Sequence, residues 1–156
     1  MTAHTQKNLP QIPGACIAIL QAKWYREYTD NLVKKCLEVL KETGCETPDV
    51  HILPGSLELP LAARRVARNR DRKYEAIICF GAIVKGETFH FEMIMNECMR
   101  GLGQVMFEED IPILVEVLPV LKLEHLIARS GDNEHNKGIE AAIAAAEIID
   151  WRRKNP

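Results

Sequence analysis

Four short, largely apolar runs alternate with segments of helical period, and this alternation narrows the available folds more than any other feature. The runs are residues 16–20, 50–53, 76–84 and 113–118. A strand that is apolar at successive positions has no face for water, so it belongs in a sheet covered on both sides. Between the runs, apolar residues recur at spacings of three and four. Leu32, Val33, Cys36, Leu37 and Leu40 form one such stripe, stopped by Gly44. Leu59, Ala62, Ala63, Val66 and Ala67 form a second, with Ser56 placed to cap it and Pro60 tolerated in its first turn. Phe91, Ile94, Met95, Cys98, Met99, Leu102, Val105 and Met106 form a third. A short helix is predicted over 121–128, and a last one through Ile139, Ala142, Ile143, Ala146 and Ile149. Strand and helix thus alternate four times, with one extra helix. The simplest topology with right-handed crossovers is a three-layer α/β/α, flavodoxin-like, doubly wound sheet of four parallel strands.

Length and composition bound the rest. A chain of 156 residues fits one domain on the usual scale of about 100–200 residues. Residues 1–13 are polar with two prolines and read as a flexible N-terminal arm; 14–156 read as the single α/β domain. Lys+Arg 20 against Asp+Glu 22 leaves a net charge of −2, which gives no global case for nucleic acid or an acidic membrane. The longest apolar stretch, 76–84, is far shorter than the roughly 20 residues of a spanning helix. The N-terminus shows no basic region followed by an apolar run, so a cytoplasmic location is expected. Five cysteines, at 16, 36, 45, 79 and 98, make no Cys-x-x-Cys pair. Cys16, Cys36, Cys79 and Cys98 fall on apolar stripes and read as small buried hydrophobes in a reducing compartment.

Ligands of such sheets bind beyond the carboxyl ends of the strands, so the turns there are the candidates for chemistry. The first turn carries Trp24 and Tyr25, an aromatic pair that either stacks on a flat ligand or packs on its own sheet. The second carries Pro54, Gly55, Ser56, Leu57 and Glu58, a tight turn with a carboxylate near a helix start. The third, from Gly81 through Lys85, Gly86, Glu87 and Thr88 to His90, is the most informative. Thr88 is the predicted N-cap, which aims free amides at an anion. His90 in the same turn sets an imidazole, which titrates near neutrality, beside that anion. Arg129 has the planar fork that suits phosphate. The basic run 64–73 reads as a solvated helix end, and the glycine-rich phosphate loops are absent.

Three segments then resemble the lumazine synthase family: Pro-Gly-Ser-Leu-Glu-Leu-Pro at 54–60, Gly-Ala-Ile-Val-Lys-Gly-Glu-Thr-Phe-His-Phe-Glu at 81–92, and Asn-Lys-Gly-Ile-Glu-Ala-Ala at 136–142. The likeness spans roughly Ala15 to Ile149, and the Gly-Glu-Thr-x-His-Phe stretch is its most specific part. It implies a transferase of riboflavin biosynthesis. Such an enzyme condenses 5-amino-6-(D-ribitylamino)uracil with 3,4-dihydroxy-2-butanone 4-phosphate to 6,7-dimethyl-8-ribityllumazine, releasing phosphate. It implies no metal and no organic cofactor, two small-molecule substrates, and a homo-oligomer built on pentamers with sites between subunits.

Carried over residue by residue, the resemblance makes His90 the proton-transfer residue. Trp24, Ser56, Leu57, Glu58, Ala82, Ile83, Val84, Val115 and Lys137 would hold the pyrimidinedione and ribityl chain. Gly86, Glu87 and Thr88 would hold the phosphate, completed by Arg129 from the adjacent subunit. Val115 stands where many members carry an aromatic ring, Asn133 where some carry Lys, and His135 where a small residue is usual. Pro10 and Pro13 before the first strand point to a free pentamer or a pair of pentamers over a sixty-subunit shell. The loss of the aromatic at Val115 leaves a second expectation, a non-catalytic flavin- or lumazine-binding protein of the same fold.

Overall fold

Strand β1 (Ile17–Ala22) is buried at all six positions and runs through the middle of the sheet. The computed structural model describes residues 8–156. The sheet has the order β2-β1-β3-β4, with β2 (Asp49–Leu53), β3 (Ala76–Val84) and β4 (Ile113–Val120) all parallel to their neighbours. Leu20 of β1 lies between His51 of β2 and Cys79 of β3. Successive side chains of a strand point to opposite faces, so two core layers form. Ile17, Ile19, Ile78 and Phe80 face helices α1 (Arg26–Lys41) and α5 (Lys137–Lys154), with Leu126 of α4 (Leu123–Ser130) at their edge. Ala18, Leu20, Ile77 and Cys79 face α2 (Leu59–Ala67) and α3 (His90–Glu109). This is the three-layer, flavodoxin-like arrangement that the alternation predicts.

The helices approach closely where the chain has no side chain. A Cβ built on Gly138 of α5 would lie 1.9 Å from the Leu32 carbonyl oxygen of α1. One built on Gly101 of α3 would lie 2.7 Å from Pro60 Cγ of α2. Each crossing therefore needs glycine for contact distance rather than for conformation.

Several local expectations are corrected. β2 is not buried on both sides: it is an edge strand, and Val50 and Ile52 are 41% and 43% exposed. β4 extends through Pro119 to Val120. Proline is tolerated there because β4 is the opposite edge. Ser56 does not cap a helix; it opens a 3-10 turn (Ser56–Glu58), and α2 begins at Leu59 with Pro60 in its first turn. The expected arm, 1–13, is described only from residue 8. Its end is docked: Ile12 is fully buried and its N–H donates to the Thr43 carbonyl at 2.9 Å. The basic run is partly paired, with Arg68 on Glu109 and Arg72 on Asp49, both at 2.8 Å.

Cys16, Cys36, Cys79 and Cys98 are buried, as expected of hydrophobes, and Cys45 is half-buried. Burial pushes the Cys98 thiol up to about 11 and those of Cys36 and Cys79 higher still, which suppresses the thiolate. Among the described residues, no helix is long and apolar enough to cross a membrane.

The α1–α5 crossing yields a test. Gly138→Ala forces a methyl into the Leu32 carbonyl, and overpacking of this kind costs about 1–3 kcal/mol or more. Chemical denaturation should show that loss as a lower midpoint with an unchanged slope.

Candidate functional site

The carboxyl ends of β1, β2 and β3 converge on one cleft of about 420 Å³. Its first wall is the turn after β1. Gln21, buried at the strand's end, donates to Thr29 Oγ1 at 2.9 Å and to Asp30 Oδ1 at 2.7 Å, which ties the strand to α1. The Lys23 N–H donates to the Leu53 carbonyl at 2.9 Å, holding the ends of β1 and β2 together. Between these ties Tyr25 is left-handed, at φ 59° and ψ 34°. A bulky residue in that region costs on the order of 1–3 kcal/mol and persists only where its surroundings over-determine it. Here its carbonyl accepts the N–H groups of Tyr28 and Thr29, which starts α1. Trp24 beside it is 62% exposed at the cleft, with the Lys23 ammonium 5.6 Å from its ring. The indole is therefore not buried on its own sheet.

The floor is the turn after β2. A Cβ on Gly55 would lie 3.1 Å from Glu58 Oε2 and 3.6 Å from Trp24 Nε1, so glycine lets three elements meet. Ser56 is buried against Gly81, where a Cβ would come within 3.2 Å of its hydroxyl. Leu57 and Glu58 face out into the cleft.

The third wall is the end of β3, Ala82, Ile83 and Val84, followed by Gly86, Thr88 and His90. The cap of α3 differs from expectation. Phe89 occupies the N-cap position without a side-chain cap bond, and the Thr88 hydroxyl accepts the His90 N–H at 3.4 Å instead. The first turn of α3 keeps its outward amides, and His90 opens the helix exposed beside them.

Ten of the sequence-predicted residues thus share one cleft: Trp24, Ser56, Leu57, Glu58, Ala82, Ile83, Val84, Gly86, Thr88 and His90. Glu87 is exposed in the same turn without lining it. The remaining three lie elsewhere. Val115 is in β4 opposite Cys79, packed into the layer under α2 and α3. Arg129 and Lys137 line a separate hollow of about 160 Å³ with Leu118, Leu121 and His125. Lys137 is fixed there by Asn136, a buried cap whose side chain accepts the Gly138 N–H at 2.8 Å and donates to the Gly131 carbonyl at 2.9 Å. Tyr25, Phe91 and Ile94 also line the main cleft. The helical period marks Phe91 and Ile94 as apolar but does not separate a core face from a cleft wall.

Residues 14–153 match the family described as 6,7-dimethyl-8-ribityllumazine synthase. A 6,7-dimethyl-8-ribityllumazine synthase of Desulfotalea psychrophila is 37% identical over 139 residues, covering 88% of each chain.

The position of Trp24 gives an optical test. The second tryptophan, Trp151, is also exposed and lies outside the cleft. In a Trp151→Phe variant, a planar heterocycle that fills the cleft should quench the remaining emission and protect it from iodide. Emission that stays open to iodide with the ligand bound would place the ligand elsewhere.

Proposed function

This chain belongs to the 6,7-dimethyl-8-ribityllumazine synthase family, and on that footing we propose that it catalyses the lumazine-forming transfer of riboflavin biosynthesis. The substrates are the ribitylamino-pyrimidinedione amine and dihydroxybutanone phosphate. One observation carries the reading: a flat aromatic wall, a carboxylate, the end of β3, a helix start and an imidazole meet in one cleft.

Each group then has a task. Trp24 stacks on the pyrimidinedione. Ser56, Leu57 and Glu58 hold the ring edge and the ribityl hydroxyls, and the backbone of Ala82, Ile83 and Val84 reads the heterocycle. Gly86, Glu87 and Thr88 hold the phosphate at the start of α3, where amides and dipole favour an anion. The amine attacks the ketone and water leaves, giving an imine. Phosphate then departs, and the second nitrogen closes the ring with loss of another water. His90 takes and returns the protons of these steps. Holding two substrates in register supplies much of the remaining rate.

Arg129 and Lys137 serve this chemistry only if another copy brings them, because within one chain they line a different hollow. The working enzyme is accordingly a homo-oligomer, built on pentamers, in which the cleft of one subunit meets the Arg129 hollow of the next. Phe89 and Met93, 82% and 68% exposed next to the cleft, supply apolar surface for that contact. Val115 of the neighbour's β4, packed into its own sheet layer, brings no aromatic ring to stack on the pyrimidinedione. Both substrates are small and soluble, and the reaction belongs in the cytoplasm.

Mixing the two substrates and following lumazine absorbance with phosphate release tests the function directly, on protein whose mass has been measured in solution. No turnover from an assembled protein would refute it. His90→Ala should lower kcat by about a hundredfold or more while leaving the melting temperature nearly unchanged, since His90 is exposed. Arg129→Ala should raise KM for the phosphorylated substrate far more than for the pyrimidinedione.

A further inference from the structure

Arg129 sits on a helix too short to hold itself. α4 has eight residues, about two turns, well below the length at which a helix is stable alone. Leu126 anchors its middle by full burial, and its last residue, Ser130, is buried as well. Its carboxyl end has no turn of its own to close it. Gly131 continues in extended backbone, at φ −78° and ψ 178°, so the left-handed turn that returns N–H groups to the last carbonyls is missing.

Those carbonyls are met from elsewhere. Asn31 of α1 donates from Nδ2 to the Ser130 carbonyl at 2.6 Å and to Asp132 Oδ1 at 3.1 Å. An amide nitrogen with two hydrogens serves both acceptors. The Lys35 ammonium, one turn further along α1, lies 3.5 Å from the same Asp132 oxygen. The Gly131 carbonyl accepts the Asn133 N–H at 3.0 Å and the Asn136 side chain at 2.9 Å. The loop between Arg129 and Lys137 is thus held at its far end by its own Asn136, and at its near end by a side chain from 99 residues before Ser130. Arg129 depends on the near end. Its Nη1 donates to the His125 carbonyl one turn back at 3.0 Å, so the guanidinium lies along the last turn of α4 and moves with it.

We propose that Asn31 is a positioning residue for the phosphate contact: by closing the carboxyl end of α4 from α1, it fixes the Arg129 guanidinium that one subunit lends to the cleft of the next. This rests on the reading of Arg129 as that contact. Without Asn31 the last turn of α4 frays, and the cost of ordering Arg129 then opposes binding of the phosphorylated substrate. Trp24 and the turn after β2 lie apart from α4 and keep their hold on the pyrimidinedione.

Steady-state kinetics of the assembled enzyme, compared for N31A, N31D, R129A and N31A/R129A, tests this. N31D keeps the shape of the side chain and loses both donors. N31A and N31D should each raise KM for dihydroxybutanone phosphate several-fold and leave KM for the pyrimidinedione unchanged. N31A/R129A should match R129A, because a residue that acts through Arg129 then has nothing left to position. An unaltered KM in N31A, an equal rise for both substrates, or N31A and R129A effects that multiply overturns the proposal and leaves Arg129 its role. An unaltered KM for the phosphorylated substrate in R129A removes the reading of Arg129, and the proposal with it. Amide hydrogen exchange gives a readout that needs no turnover. N31A should quicken exchange over 129–133, and protection there equal to that of the unsubstituted protein overturns the proposal.

Discussion

The structure depends on the fact that β1 has no wet face. All six of its residues are buried, and β3 is buried along nearly its full length beside it. Neither strand can sit in a sheet with one side open, so helices must cover both sides, and right-handed crossovers deliver them in alternation. Cover this tight requires close helix approach, and Gly138 against Leu32 and Gly101 against Pro60 are where that demand becomes atomic. With both faces closed, the carboxyl ends of the strands and the turns after them are where a small ligand finds backbone and side chains together. The cleft follows from the burial of β1 rather than being added to it.

The same causes explain what was legible in the sequence. The runs 76–84 and 113–118 are long enough and apolar enough to be read as strands, and the third helix repeats its apolar residues over about five turns. Glycines at 55 and 86 and the aromatic at 24 stand just past the strand ends, so most of the cleft could be listed from strand assignment alone. The segments that carry the family resemblance run through strand ends, turns and helix starts: 81–92 joins the end of β3 to the start of α3, and 136–142 opens α5.

What was not legible depends on neighbours far apart in the chain. The composition of β2 is that of a covered strand, and only the sheet order leaves it at an edge. Thr88 has the chemistry of an N-cap, but the chain turns so that Phe89 takes that place. Phe91 and Ile94 match the helical period equally well as core or as cleft wall. Sequence order likewise says nothing of Arg129 and Lys137 facing a second hollow, since both follow β4, the far edge of the sheet from the turn at Trp24.

The open edge of β2 bears on the life of a newly made chain. Among the described residues, one row of its strand donors and acceptors is unpaired beside exposed Val50 and Ile52. Such an edge recruits any extended segment, so correct folding competes in time with mispairing. Two properties slow the wrong outcome. The strand is only five residues long, and the groove beside it is rimmed by Arg26, Lys34 and Lys41 together with Asp30 and Glu38. A stray strand would have to bring matching charges in register over a very short span. The folded chain is thereby guarded against stray edge pairing in a crowded solution.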